Sequence, residues 1–341
     1  MKKIVSALAL SLVGACPAWG AFSTTVTTNT YANIALQRSG NTLYTLTDQP
    51  PLGSSTSVGS QSASVLGPTE LGGSLSARVD VKASAQAGVL RAYSTANAVA
   101  RHTGRVWPTD FAYYDLAATV SGSAGAGMVD TVVWSIGSLP VGTPLTLRFD
   151  ISVDGDLSYQ TLIASSNTRS FGSAYANWFV QIAGSGVTTG NFSSLSAPAA
   201  FAGRTFGGVD SRDVSGLGSF TFEQRVLNAV PVELRMSLGT GTSNNLRDMC
   251  HANPACQGSA GGIEATATGD MMHTFAWGGV QQVRLNDGSL LDLNSLDAVS
   301  SSGLDYRLSA LPVPEPASWA MLVLGLVALK TARRNSHRRG A

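Results

Sequence analysis

Leu145-Thr146-Leu147-Arg148-Phe149-Asp150-Ile151-Ser152-Val153 alternates apolar and polar side chains over nine residues without a break. Successive side chains of a strand point to opposite faces. The run therefore predicts a strand that buries Leu145, Leu147, Phe149, Ile151 and Val153 and turns Thr146, Arg148, Asp150 and Ser152 toward water. A helix would scatter the same residues around its circumference. Asp154-Gly155 follows as a turn pair, and Leu157 to Leu162 then reads as the returning arm of a hairpin.

Working outward, the same period recurs. Val230, Val232, Leu234, Met236 and Leu238 share one face of a second strand, and Pro231, which lacks a ladder donor, predicts an edge position for it. Ser219 to Val226 and Val280 to Leu285 read as further strands, the latter turning at Asn286-Asp287-Gly288. Residues 72–101 carry Ala83, Ala85, Ala87, Ala92, Ala96, Ala98 and Ala100; the alanines permit a helix, but the Ser, Thr and Gly between them favour strands. Pro50 to Ser64 is rich in Ser and Gly and predicts a loop or linker. No repeat of fixed period is present.

Composition agrees with a mostly β chain. Charged residues make up 13% of the 341, well below the usual share, and Gly alone contributes 37. Such a composition suits strands and turns better than charged amphipathic helices. The expected architecture is an antiparallel β-sandwich or jelly-roll-like ectodomain over residues 21–310, with a segment of another character at each end.

The N-terminal segment, residues 1–20, has the layout of a secretory signal peptide: Lys2 and Lys3, an apolar run from Ile4 to Val13, then Ala18-Trp19-Gly20. The small side chains of Ala18 and Gly20 place the cleavage before Ala21. Val13-Gly14-Ala15-Cys16 offers a lipoprotein-like alternative cut. Cleavage after Gly20 removes Cys16 and leaves Cys250 and Cys256, an even pair in an oxidising compartment. Their disulfide would close a short loop, a local constraint of about 2 kcal/mol. The alternative is a metal held by both thiols and His251, a set that needs a fourth ligand the neighbourhood does not obviously supply, although Asp248 is near.

Residues 311–341 place three features in order. Pro312, Pro314 and Pro316 deny helical geometry, so Val313-Pro314-Glu315-Pro316 is expected to be an extended strip. An apolar run from Ala317 to Leu329 follows, short of the roughly 20 residues of an ordinary span, so a transmembrane helix there takes in about 317–332 with Lys330 snorkelling. The tail 333–341 carries Arg333, Arg334, Arg338 and Arg339, which hold that end in the cytoplasm and put the body outside it.

Together these residues resemble the PEP-CTERM sorting signal, whose bearers are understood as substrates of exosortase, a membrane-embedded transpeptidase-like enzyme of Gram-negative bacteria that make extracellular polysaccharide. The resemblance implies that Val313, Pro314, Glu315 and Pro316 are recognised, that the helix is a transient inner-membrane anchor, and that the arginines are a retention signal. It implies an exported protein with exosortase, the membrane and an exopolysaccharide as partners. The closing stretch, from Trp277-Gly278-Gly279 to Ser302-Gly303-Leu304-Asp305-Tyr306, resembles more loosely the end of many ectodomains of that kind.

No enzyme motif stands out between the two signals. The body holds His102, His251 and His273, none in a recognisable triad setting. Asp150, Asp154 and Asp156 lack the ligand ladder of a calcium loop, and no cofactor is expected. Glu223 with Glu233 is a carboxylate pair to test for hydrolase chemistry. Trp107, Tyr113, Tyr114, Trp134, Tyr175 and Trp178 are candidates for stacking on sugars, against the ordinary expectation that such aromatics fill a sandwich core. Without Lys2, Lys3, Lys330, the four tail arginines and Glu315, the body keeps 15 basic against 20 acidic residues, a balance that disfavours nucleic acid. The sequence thus supports a non-catalytic surface protein, with a carbohydrate-binding module or a secreted hydrolase as alternatives.

Overall fold

The computed structural model describes residues 21–38, 41–55, 57–66, 73–102, 114–163, 168–184, 208–215, 218–249 and 261–310. In chain order the strands are β1 (Ser23–Arg38), β2 (Asn41–Asp48), β3 (Gly53–Ser55), β4 (Val58–Leu66), β5 (Gly73–Gln86), β6 (Val89–His102), β7 (Tyr114–Ile136), β8 (Pro144–Ile163), β9 (Thr168–Ala183), β10 (Gly208–Ser215), β11 (Gly218–Leu227), β12 (Pro231–Met249), β13 (Gly261–Leu285), β14 (Leu290–Leu291) and β15 (Leu296–Ser300). Every pairing is antiparallel. One sheet has seven strands, ordered β2-β1-β7-β12-β9, with β3 on β1 and β15 on β7; the other has eight, ordered β10-β8-β13-β6-β5-β4, with β11 on β8 and β14 on β13. Their inner faces share one apolar core, as expected of a sandwich.

The decisive run behaves as its period demands: Leu145, Leu147, Phe149, Ile151 and Val153 are all buried. Its predicted end does not exist. β8 continues through Asp154-Gly155 to Ile163, so Leu157 to Leu162 belongs to the same strand and not to a hairpin partner. Gly155 is there for space, since a Cβ on it would lie 2.4 Å from Met271 Sδ and 2.6 Å from the Asp270 carbonyl oxygen. That crowding sits where β13 bulges between Asp270 and Thr274 against β8.

Two further expectations are corrected. The strand bearing Pro231 is central, because β12 pairs with both β7 and β9. Pro231 is tolerated as its first residue, beyond the end of the β9 ladder, which starts at Glu233. Pro50 to Ser64 is not a linker, for β3 and most of β4 lie within it. Its small residues allow close approach: a Cβ on Gly59 would lie 2.8 Å from Val26 Cγ1 of the facing sheet. By contrast, the described part of residues 72–101, from Gly73 on, forms the expected strands, β5 and β6 joined at Gly88 (φ +71°). The Asn286-Asp287-Gly288 turn is also present, with the Gly288 N–H donating to the Leu285 carbonyl at 3.0 Å.

The core has two halves. Toward His102 and Gly261 it is built from small residues, Ala96, Ala98, Ala118, Ala265 and Ala267, with Ser94 and Thr242 hydroxyls 2.6 Å apart between the sheets. Toward Leu285 it is aromatic: Phe149 stacks on Trp277 at 4.6 Å, and Trp178 of the first sheet meets Phe220 and Phe275 of the second at 5.1 and 5.5 Å. The aromatic half is closed by the last described residues. β15 pairs with Val132 to Ile136 of β7, beyond Val129 where the β1 ladder starts. Residues 301–310 then cross to the second sheet and bond to β13 beyond Val89, where β6 begins.

Candidate functional site

The sorting residues read from sequence fall outside the described residues: Val313, Pro314, Glu315, Pro316, Arg333, Arg334, Arg338 and Arg339, with the helix expected near 317–332. Among the described residues, no helix is long and apolar enough to cross a membrane. Ala18 and Gly20 also lie outside, as do Cys250, His251 and Cys256; Ala21 is described and exposed two residues ahead of β1. What the structure supplies is the strap of residues 301–310 that leads directly into the sorting segment.

The strap is built around Asp130. Inward-facing residues of β7 run Met128, Asp130, Val132, Trp134 and Ile136, so the strand's period carries a carboxylate into the core, where it is 0% exposed. An isolated charge there would be costly. Four donors meet it: Ser301 Oγ and Ser302 Oγ at 2.5 Å, Tyr306 Oη at 2.8 Å and the Ser302 backbone N–H at 3.2 Å. Burial, followed by the charge of Asp130, pushes the Tyr306 phenol well above its usual range, so it remains a donor.

Trp277 holds the far end. Its ring packs edge-on to Tyr306 at 5.5 Å and its Nε1–H donates to the Tyr306 carbonyl at 2.7 Å. Its backbone carbonyl accepts from the Ala310 N–H at 2.8 Å, while its own N–H donates to the Gly88 carbonyl at 2.9 Å. Gly88 and Gly279 (φ +71° and +90°) leave no room for a side chain: a Cβ on Gly279 would sit 2.9 Å from the Arg307 carbonyl oxygen. Outside, Arg307 donates through Nε and Nη2 to both Asp305 carboxylate oxygens and through Nη1 to the Leu296 carbonyl. The Arg307 hydrogen bonds hold the Asp305 carboxyl below its usual range.

The residues weighed for other chemistry do not converge. Glu223 pairs with Arg284 and Glu233 with Arg235, on the outer faces of different sheets. Asp150 accepts from Thr221 at 2.7 Å, and the described residues contain no group of three acidic, His or Cys side chains arranged for a metal. Trp134 and Trp178 are buried in the core, whereas Tyr175 is 42% exposed. Trp107 and Tyr113 lie outside the described residues, and Tyr114 opens β7. A small cleft at the seam between β9 and β11 is lined by Phe149, Val180, Ile182, Phe222, Glu223 and Gln224, and its one carboxylate is the one engaged by Arg284.

Comparison with known proteins bears on the segment beyond the strap. A family model described as the PEP-CTERM protein-sorting motif matches residues 312–339. The chain therefore carries a PEP-CTERM sorting motif, and the match spans the prolines, the apolar run and the arginines read from sequence. A search of curated proteins returns no match. Among solved structures, the chain aligns with one from infectious bursal disease virus, Gx strain, at 8% identity over 90% of this chain and 74% of that chain; the TM-score of 0.09 carries no argument about the fold.

Proposed function

We propose that this chain is an exported, non-catalytic surface or matrix protein, held at the inner membrane by its C-terminal apolar run, processed there by exosortase and released into the cell envelope or its exopolysaccharide. The observation that carries this reading is the sorting motif at residues 312–339, which follows directly on a sandwich whose closing strap ends at Ala310. A non-catalytic body is supported by the engagement of its candidate carboxylates in surface ion pairs and of Asp130 in the strap. The test is intact mass spectrometry of the protein from cells with and without exosortase. A mature chain starting near Ala21 and ending near Pro314 only when the enzyme is present supports the reading. A C-terminus reaching Ala341 in both strains overturns the processing step.

One observation favours a second reading, contact with carbohydrate. Tyr175 lies exposed on the outer face of the first sheet, directly over Gly241, where a Cβ would meet its ring at 2.5 Å, and Asn177 covers Gly239 in the same way. An aromatic ring beside amide and hydroxyl groups suits a neutral sugar. Retention of the protein on the producer's own polysaccharide, lost in Tyr175→Ala, supports this reading; equal retention of both proteins sinks it.

A further inference from the structure

We propose that the outer face of the first sheet binds an extended, uncharged polysaccharide chain lengthwise, running from Tyr175 past Asn177 to a notch at Gly127. The proposal rests on the second reading above, that Tyr175 meets carbohydrate, and adds the class of ligand and the place of its closest approach.

The notch is a glycine that the fold does not require. Its neighbours are covered by side chains leaning in from both sides: a Cβ on Gly125 would lie 2.8 Å from Thr27 Oγ1, one on Gly239 2.4 Å from Asn177 Oδ1, and one on Gly241 2.5 Å from the Tyr175 ring. Gly127 has room. A Cβ there would meet only the Met236 and Thr25 carbonyl oxygens, at 3.8 and 4.0 Å, and its φ lies outside the left-handed region. A glycine inside a strand weakens it relative to alanine. Where neither a turn nor a neighbour demands it, such a glycine marks the close approach of a ligand or another backbone. Gly127 is half-buried on the outward series of β7, between Met128 and Ala126 of the core, so that approach comes from outside the molecule.

The spacing selects a chain over a single sugar. Tyr175 lies over Gly241 of β12; four residues along that strand is Ser237, which pairs with Gly127 of β7. At about 3.3 Å per residue along a strand and about 4.8 Å between strands, Gly241 and Gly127 are about 14 Å apart. One sugar ring resting on Tyr175 does not reach the notch. The line between them follows the strands, because the ladders of β12 with β7 and with β9 run through this region without a register shift.

Charge selects a neutral chain. Residues 25–33 of β1, 119–127 of β7, 237–245 of β12 and 170–183 of β9 contain no charged side chain. The outer face of the second sheet, by contrast, carries Arg78, Asp80, Lys82, Glu264 and Asp270. A uronate or phosphate polymer would find no cation along the line from Tyr175 to Gly127. A neutral sugar chain finds an aromatic ring at Tyr175 and exposed hydroxyl and amide groups at Thr27, Asn29 and Asn177.

The test is affinity electrophoresis of the full-length chain in detergent, in gels holding either the neutral or the anionic fraction of the producer's own polysaccharide. Expected is retardation by the neutral fraction alone, severalfold weaker in Gly127→Val, whose urea midpoint stays at or above the wild type because the new side chain has space and suits a strand. Disaccharides released from the neutral fraction should compete far less well than longer fragments. Wild-type retention of Gly127→Val overturns the inference, and loss of retention in Tyr175→Ala then leaves the carbohydrate reading standing. Equal retardation by the anionic fraction, or equal competition by disaccharides, also overturns it. Where Gly127→Val lowers the midpoint, Ser237→Val, which crowds the notch from the paired position on β12, takes its place under the same criteria. A wild type retarded by neither fraction refutes the carbohydrate reading and the inference with it; a dimer broken by Gly127→Val would then assign the face to a second copy.

Discussion

Removing the charge of Asp130 disturbs three side chains at once, because Ser301, Ser302 and Tyr306 all donate to its two oxygens. Asp130→Asn keeps the shape but turns an amide donor toward those donors, so we expect a loss of about 2–3 kcal/mol in urea unfolding of residues 21–310. A loss below about 0.5 kcal/mol, ordinary for a surface change, would refute the cluster's importance. Tyr306 predicts a pH effect whose sign is fixed by its raised folded value. The unfolded phenol ionises near pH 10 while the folded one keeps its proton, so this contribution is fully present below about pH 10 and is lost as pH rises further. Tyr306→Phe should therefore lose less stability than the wild type between about pH 9 and pH 11, measured by urea midpoints; parallel curves would deny Tyr306 that role. Asp130 was detectable in the sequence as a lone acid in the inward series Met128, Val132, Trp134 and Ile136. Its partners were not, since Tyr306 lies 176 residues away.

Strand-scale features were legible wherever alternation ran unbroken, and misread where a glycine had two explanations. Asp154-Gly155 carries the letters of a turn, but Gly155 lies inside β8 and is absent from the glycines with positive φ. Gly288 is a turn glycine, with φ +86° and nothing within 4 Å of a Cβ. The two sites give the same substitution different costs for different reasons. Gly155→Ala must displace the Asp270 backbone or Met271 and should cost about 1–3 kcal/mol by overpacking. Gly288→Ala should cost about 1 kcal/mol from backbone conformation alone, and Gly288→Asn less, since Asn enters that region readily. Thermal unfolding of the three variants separates the cases; Gly155→Ala no worse than Gly288→Asn would restore the hairpin. The Ser- and Gly-rich stretch from Pro50 to Ser64 failed for a related reason. Small polar residues mark loops in general, but here they let β4 lie against Val26 of the facing sheet, and periodicity cannot see across a sandwich.

At the scale of the molecule, the sandwich class followed from composition and period, and the sorting signal from three ordered features at one end. The join between them was hidden because it consists of contacts between distant segments. A stem leading to a membrane run is ordinarily a passive spacer, and the prolines from Pro312 onward suggest one. Residues 301–310 are instead part of the core's closure. They cover Trp277, satisfy Asp130 and tie the second sheet to β7, while Gly88 meets Met128 Sδ across the sheets at 3.1 Å. Ending the chain at Ser300 would strip Asp130 of every partner named here and leave Trp277 facing the vacancy of a fully buried tyrosine. Stranding a buried charge costs about 3–5 kcal/mol, and loss of a large aromatic adds about 3–5 kcal/mol more. Such sums approach the whole stability of an ordinary domain. Residues 21–300 should therefore unfold far below residues 21–310 in a thermal scan, or fail to accumulate. Ending the chain at Ala310 instead of Ala341 should leave the core untouched. Equal midpoints for 21–300 and 21–310 would return the strap to the status of a spacer.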